Sequence, residues 1–127
     1  MNAESNANSD LKLIMEKYAN LSMFEGYDIQ FPDSPGPDGD TPFHMVAYDG
    51  DVAAAELMLP YIPDINFGGD IGNSPLHYAV TNKKLEMARF LILKGADVTK
   101  KNDYGDTPIE DMQDSEIFRE LLIELKS

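Results

Sequence analysis

The apolar residues of this chain recur every three or four positions in several short segments, and polar residues lie between them. The clearest stripe comprises Leu85, Ala88, Leu91 and Ile92. This spacing places the apolar side chains on one face of an α-helix. Two similar stripes lie near the ends of the chain: Leu11, Ile14, Met15 and Tyr18, and Ile117, Phe118, Leu121, Leu122 and Leu125. The pattern therefore predicts short helices that each bury one face.

Three further helices are predicted by a capping residue that is followed directly by proline. Thr41, Ser74 and Thr107 are good N-cap residues, and each precedes a proline. Proline is well placed at the first helical position, because the N–H that it lacks would have no partner there. Helices are expected over about 42–48 and 75–81, each leading through a turn to a second helix.

These capped segments are copies of one another. Residues 39–44 read GDTPFH, residues 72–77 read GNSPLH and residues 105–110 read GDTPIE, so both offsets are 33 residues. The same offset separates DIN at 64–66 from DVT at 97–99. A single helix pair cannot bury both of its apolar faces, so units of this kind must stack.

The period and the Thr/Ser-Pro-apolar-His core resemble the ankyrin repeat, whose signature reads T-P-L-H-x-A. The second copy matches best, with SPLHYA at 74–79 and GADV at 95–98. The first copy departs from the pattern at Pro60 and Pro63. The third has Glu110 in place of the histidine and ends with the chain, as a terminal capping repeat would. The resemblance covers residues 37–127, with a weaker echo at 25–29.

The resemblance implies an all-α ankyrin-repeat solenoid with about three repeats and an N-terminal helical cap. In this interpretation residues 1–9 are disordered or loosely ordered, and residues 10–127 form a single domain. The cap spans 10–36, and the repeats span about 37–69, 70–102 and 103–127. The segment from Gln30 to Asp38 resembles an enlarged finger loop with a three-residue insertion, which is either a partner contact or a tolerated variation.

The formal net charge is −13, and the charges are unevenly distributed along the chain. No Lys or Arg lies between Tyr18 and Asn82, whereas this stretch holds ten Asp and Glu residues. Such a surface repels nucleic acids and anionic membranes, and it attracts a basic protein and accelerates the encounter. The alternative is that the charge only aids solubility.

The composition excludes several classes of site. The chain contains no cysteine, which rules out disulfides, thiolate metal sites and a cysteine nucleophile, and is compatible with the reducing cytoplasm. No segment approaches the ~18 apolar residues of a membrane span. The first ten residues are polar and do not resemble a secretory signal. We therefore expect a cytoplasmic protein.

The residues that could carry chemistry favour structural roles. His44 and His77 are the only histidines and occupy the same motif position, where the ankyrin histidine bonds within and between finger loops. A metal site would need further ligands close by. Asp38 and Asp40 lack the spacing of a calcium loop and are expected to be turn residues. Because phosphate-loop and nucleophile motifs are also absent from the sequence, we expect no enzyme, no metal and no cofactor.

The resemblance also implies a binding face, because ankyrin proteins contact partners through the loop tips and the exposed side of each first helix. Tyr48, Tyr78 and Tyr104 are expected to share this concave face with many aspartates, and tyrosine is enriched at binding hot spots. The alternative is that one or two of these rings, Tyr78 above all, pack against a neighbouring repeat. The expected contact residues are Asp38, Asp40, Met45, Tyr48, Asp49, Asp70, Ile71, Asn73, Tyr78, Asn82, Asp103, Tyr104 and Asp106.

These features predict a protein-interaction module that binds a basic protein and is monomeric on its own. One hypothesis for its role is a stand-alone inhibitor, such as an immunity protein that neutralises a basic toxin. The alternative is an adaptor or regulatory subunit that docks two proteins. An enzyme or metal protein and a self-assembling structural module are less favoured, and the scaffold alone does not decide the role.

Overall fold

The computed structural model describes residues 3–126, with side chains from Asn8 onward, and every regular element in that range is helical. The α-helices are α1 (Ala3–Ala19), α2 (Pro42–Asp49), α3 (Val52–Met58), α4 (Pro75–Thr81), α5 (Leu85–Leu93), α6 (Pro108–Gln113) and α7 (Arg119–Leu125). Short 3-10 helices occur at Ser22–Phe24, Leu59–Tyr61, Asp70–Gly72 and Glu116–Phe118. The expected all-α architecture is confirmed. Within residues 3–126, none of the helices combines the length and apolar content that crossing a bilayer requires.

Helices α2, α4 and α6 begin where the capping residues predict. Thr41, Ser74 and Thr107 take extended backbone conformations before the first turn. The side-chain oxygen of each accepts a hydrogen bond from the N–H three residues later, at 3.3 Å in all three cases. The cap thus satisfies an N–H group that has no partner inside the helix, and the proline that follows starts each helix.

The helices pair and the pairs stack. Helix α2 contacts α3, α4 contacts α5, and α6 contacts α7, while the pairs are joined through α2–α4 and α4–α6. Helix α1 packs against α2 and α3 at one end of this stack. The core between the helices is apolar, and Phe43, Met58, Leu76, Met87 and Leu91 are at most 1% exposed. Because each pair buries apolar side chains against its neighbour, the pairs stabilise one another only as a stack.

Helix α1 begins at Ala3, earlier than the cap expected from Asp10, and Met1 and Asn2 lie outside the described residues. Its apolar stripe packs against the core as predicted, and Tyr18 is only 1% exposed. The Tyr18 hydroxyl donates a hydrogen bond of 2.7 Å to Oδ2 of Asp49, at the end of α2. The stripe and this bond together fix α1 on the first helix pair.

The C-terminal segment buries only part of the apolar face that the sequence predicts. Phe118 and Leu121 are buried as predicted, whereas Ile117 and Leu125 are 43% and 41% exposed. The chain enters α7 through the 3-10 turn Glu116–Phe118, which directs Phe118 rather than Ile117 into the core. The prediction that Ile117 and Leu125 point inward was therefore wrong.

The segment from Gln30 to Asp38 packs against the protein rather than extending from it. The Pro32 carbonyl accepts a hydrogen bond of 2.9 Å from the Phe43 N–H. Gly36 is buried beneath the Phe24 ring, and a Cβ atom at this position would lie 2.6 Å from the ring. Phe31 stays 59% exposed. The inserted residues thus form a fixed part of the surface beside α2.

Candidate protein-binding face

The inner helices α2, α4 and α6 are each preceded by a tight loop, and the three loops share one hydrogen-bond pattern. We call residues 36–40, 69–73 and 102–106 the finger loops. In each loop the N–H of the first residue donates to the carbonyl of the last, at 2.8, 2.8 and 3.0 Å. The fourth residue is a glycine with φ of 91°, 72° or 83°, a left-handed conformation that glycine adopts without strain. The surface formed by these loops and by α2, α4 and α6 is called the inner face below.

Hydrogen bonds also join each finger loop to the next. The Asp70 N–H of the second loop donates to Oδ1 of Asp40 in the first loop, at 2.8 Å. The Asp103 N–H of the third loop donates to the Ile71 carbonyl of the second, at 2.9 Å. The loops therefore form one rigid edge of the inner face rather than three independent projections.

Asp40 is the junction between this edge and the helices. Besides the Asp70 N–H, its Oδ1 accepts a hydrogen bond of 2.6 Å from the Tyr78 hydroxyl on α4. The carboxylate fits here because residue 69 is glycine, and a Cβ at Gly69 would lie 2.3 Å from Oδ1. Burial and the nearby Asp40 carboxylate raise the pKa of Tyr78 above its ordinary value, so the hydroxyl keeps its proton. Asp40 itself is only 6% exposed, and it holds the second finger loop and Tyr78 in place through these two hydrogen bonds.

The three tyrosines of the inner face differ in exposure. Tyr48 on α2 is 47% exposed, and its ring meets the partly buried Tyr78 ring edge-on, with centroids 6.2 Å apart. Tyr104, at the tip of the third finger loop, is 75% exposed. Tyr48 and Tyr78 thus form one aromatic pair near the first two repeats, while Tyr104 stands apart from them at the loop edge.

Among residues 8–126, the exposed aspartates of the inner face form no ion pair with a Lys or Arg. Within residues 8–126, the ion pairs involve Arg89 and Arg119 and lie on or next to α5 and α7. Burial, followed by repulsion from Asp40 and Asp38, raises the pKa of Asp70. Burial and repulsion from Asp106 likewise raise the pKa of Asp111 on α6. Asp70 and Asp111 thus each lie close to further carboxylates.

The periodic architecture has a counterpart in known families. A family model described as ankyrin repeats (3 copies) matches residues 3–102, which is more than three quarters of the chain. The chain belongs to the ankyrin-repeat family. Ankyrin repeats mediate protein–protein interaction and are typically non-enzymatic interaction modules.

Several characterised or named proteins share this ankyrin region. Protein phosphatase 1 regulatory subunit 27 of Mus musculus is 34% identical over 76 residues, covering 60% of this chain and 49% of that protein. The probable 26S proteasome regulatory subunit p28 of Saccharomyces cerevisiae is 32% identical over 84 residues, covering 65% of this chain and 37% of that protein. A putative ankyrin repeat protein of Fowlpox virus is 37% identical over 75 residues, covering 57% of this chain and 18% of that protein. The chain thus matches about half or less of each relative's length.

Three of the expected partner contacts, Asp40, Asn73 and Asn82, also form hydrogen bonds inside the protein. Asp40 is buried, as described above. The Asn73 Oδ1 accepts a hydrogen bond of 2.9 Å from the Asn102 side chain, which links two finger loops. The Asn82 side chain donates to the Tyr78 carbonyl at 2.8 Å and closes the end of α4. These hydrogen bonds give Asp40, Asn73 and Asn82 a positioning role within the inner face.

The remaining expected contact residues are all at least partly exposed, to different degrees. Met45 and Tyr78 are partly buried and pack against the core. Ile71 is partly exposed at the tip of the second finger loop. The residues left fully at the surface are Asp38, Tyr48, Asp49, Asp103, Tyr104 and Asp106, with Asp70 partly exposed. The alternative anticipated for Tyr78, that its ring packs against the neighbouring repeat, fits its contacts with Tyr48 and His44.

Two residues that contact α2 of the inner face, Tyr18 and Phe67, were not predicted to do so from the sequence. Tyr18 was placed only in an apolar stripe, yet its hydroxyl binds Asp49 of the inner face. The Phe67 ring packs at a tilt of 45° against the His44 ring, with centroids 4.3 Å apart, and the Phe67 carbonyl accepts a hydrogen bond from the His44 ring. Both contacts join residues more than 20 positions apart, which no local pattern reveals.

The two histidines have the structural role implied by the ankyrin signature. Nδ1 of His44 accepts from the Thr41 N–H at 3.2 Å, and Nε2 donates to the Phe67 carbonyl at 2.9 Å. Nδ1 of His77 accepts from the Ser74 N–H, and Nε2 donates to the Asp106 carbonyl, both at 3.0 Å. Each ring therefore bonds its own helix cap and a backbone carbonyl of the next repeat unit: Phe67, just before the second finger loop, for His44, and Asp106 of the third finger loop for His77. For His44, this geometry requires the neutral form with the proton on Nε2. Among the described residues, no three His, Asp or Glu side chains converge as metal ligands.

The neutral state of His44 predicts how stability depends on pH. Burial lowers the pKa of His44 despite the opposing effects of the Phe67 carbonyl and Asp40. The unfolded chain therefore binds a proton at a higher pH than the folded chain does, and stability falls as pH decreases through about 6.5. Between pH 6.5 and 5.5 this one proton can remove at most about 1.4 kcal/mol. Urea unfolding of wild type and His44→Gln at pH 7.5 and 5.5 measures this loss of unfolding free energy. A decrease of equal size in both proteins would mean that other groups cause it.

Proposed function

We propose that the inner face binds a protein with a basic surface, through Tyr48 and Tyr104 and the aspartates around them. The single observation that carries this proposal is the unpaired state of those aspartates in residues 8–126. Asp40 and Asp49 instead have tyrosine hydroxyls as partners, which leave the carboxylate charge in place. Lys or Arg of a partner would supply the missing counter-charges.

The exposed tyrosines support the same surface as the site of contact. Tyrosine offers a large contact area with few rotatable bonds, so ordering it in a complex costs little conformational entropy. Tyr104 is 75% exposed and Tyr48 is 47% exposed. Their rings can cover the aliphatic parts of Lys and Arg side chains and make cation–π contacts with the charged ends. The hydrogen-bonded finger loops hold this surface in one shape before a partner arrives.

Two roles for this binding remain candidates. The phosphatase and proteasome relatives are named regulatory subunits, which supports the role of a regulatory subunit or adaptor for this chain. A stand-alone inhibitor, such as an immunity protein of a basic toxin, rests on the net charge of −13. An inhibitor abolishes its partner's activity when it binds, whereas an adaptor leaves that activity intact and retains a second surface for another protein.

The other expectations belong to the same proposal. The negative charge favours a protein partner over nucleic acid or an anionic membrane, and it opposes self-association, so we expect a monomer. A chain without cysteine is compatible with the cytoplasm, which is where we place it.

Capture from a lysate of the source cell tests the proposed face. Tyr48→Ala with Tyr104→Ala is compared with wild type and with a control pair, Tyr27→Ala with Tyr61→Ala. The control tyrosines are 50% and 51% exposed but lie outside the inner face. We expect wild type and the control to retain a basic protein that the first double variant binds at least about tenfold more weakly. Moderate salt should weaken the retained complex.

Two results would contradict the proposal. If both double variants bind the same protein equally well, another surface makes the contact. If wild type retains no basic protein at low salt, the proposed partner chemistry is wrong. Assaying the captured protein's activity with and without this chain then separates an inhibitor from an adaptor.

A further inference from the structure

The tip of the second finger loop has an unusual backbone conformation. Ile71 has φ 58° and ψ 23°, in the left-handed region. Among the residues that the structure describes, only Lys83 is another non-glycine residue with positive φ. A β-branched side chain is strained there because its Cβ approaches the following carbonyl oxygen, and such strain persists only where surrounding structure enforces it.

The other finger loops do not need this conformation. Asp38 in the first finger loop and Tyr104 in the third are the equivalents of Ile71, each 33 residues away along the chain. Neither has a positive φ. The left-handed turn at Ile71 directs its carbonyl to the Asp103 N–H, at 2.9 Å. Glycine or asparagine could direct that carbonyl with less strain. The hydrogen bond therefore explains the backbone conformation but not the choice of isoleucine.

Packing does not explain isoleucine either. Ile71 is partly exposed and belongs neither to the buried core nor to the apolar residues packed against it. Its neighbours along the loop edge are carboxylates: Asp70 adjoins it, and Asp38 and Asp103 lie close enough to Asp70 to raise its pKa. Ile71 is thus an apolar side chain held at the tip of an acidic edge.

We propose that Ile71 is a specificity-determining contact of the inner face, and that it selects partners in which an apolar side chain lies among Lys or Arg residues. This inference rests on the proposed function, because the carboxylates around Ile71 would bind the cations while Ile71 contacts the apolar group. Charge alone attracts any basic surface, whereas an apolar contact within the charged region distinguishes one basic surface from another.

Two labelled heptapeptides test this inference with the full chain. Each has six lysines, around a central leucine in one peptide and a central serine in the other. Fluorescence anisotropy at low salt gives the affinities for wild type, Ile71→Val and Ile71→Asn. Valine keeps the β-branched apolar side chain, whereas asparagine tolerates the left-handed conformation but is polar. We expect wild type and Ile71→Val to prefer the leucine peptide by about fivefold, and Ile71→Asn to bind both peptides equally.

Thermal unfolding separates the contact from a structural role. Ile71→Asn relieves the strain, so we expect its Tm to rise by about 4 °C relative to Ile71→Val, while it loses the preference for leucine. A lower Tm for Ile71→Asn would overturn the premise of strain. Equal binding of both peptides by wild type would overturn the role of Ile71 and leave the acidic face intact. Binding of neither peptide by wild type would overturn the proposed recognition of basic partners as well.

Discussion

Replacing His44 with alanine is expected to reduce the free energy of unfolding by about 4 kcal/mol. The ring is 0% exposed and contacts both Phe67 and Tyr78. Its removal leaves a cavity and takes away the hydrogen-bond partners of the Thr41 N–H and the Phe67 carbonyl. An unsatisfied buried backbone group costs about 1–3 kcal/mol, so the two groups and the cavity together account for the loss.

Urea unfolding at pH 7.5 measures this effect. Because ordinary domains have only about 5–15 kcal/mol of stability, the His44→Ala variant should unfold at a much lower urea concentration or be partly unfolded in buffer. Lys101→Ala is the control, since Lys101 is exposed just before the third finger loop and its replacement should change stability by less than about 0.5 kcal/mol. A loss below about 1 kcal/mol for His44→Ala would mean that the finger loops do not depend on this ring.

Neutralising three aspartates of the finger loops is expected to slow association with a basic partner by about tenfold to a hundredfold. The variant Asp38→Asn, Asp70→Asn, Asp103→Asn keeps the shapes of the side chains and removes three negative charges. Asp38 and Asp103 repel the Asp70 carboxylate in the folded wild type. The triple variant lacks this repulsion, so it should be at least as stable as wild type. Loss of binding without loss of stability therefore identifies an electrostatic role.

A second triple variant controls for net charge. Glu16→Gln, Glu56→Gln, Glu120→Gln removes the same charge from α1, α3 and α7. Its association rate should stay within about threefold of wild type at physiological salt, because charges beyond about 8 Å are largely screened. Stopped-flow measurements with the captured partner give both rates. Equal slowing in the two triple variants would show that only total charge matters and would contradict a localised acidic face.

The helix starts could be predicted from the sequence because they are determined by neighbouring residues. A Thr or Ser cap followed by proline fixes the first turn locally, and α2, α4 and α6 all begin at that proline. The 33-residue period then relates the three units to one another without any knowledge of distant contacts. The start of α1 at Ala3 was missed, since its first turns precede the apolar stripe on which the prediction relied.

The roles of individual acidic residues could not be predicted, because they depend on distant partners. Asp40 has the sequence environment of an exposed turn residue, yet Tyr78, 38 residues later, donates to it, and the absence of a Cβ at Gly69 makes room for it. Asp49 similarly receives a hydrogen bond from Tyr18, 31 residues earlier. A motif position indicates which face a residue occupies, but the distant contacts decide whether it supports that face or remains available to a partner.

The most direct test of the account is an NMR titration of labelled chain with the basic protein that it captures. Backbone amide signals report which surface a partner covers. We expect the largest changes at the inner face, at Tyr48, Ile71 and Tyr104, and small changes at Tyr61 and Leu93, which are exposed outside it. Changes concentrated around Tyr61 and Leu93, with the finger-loop signals unmoved, would contradict the proposal that the acidic inner face is the binding site.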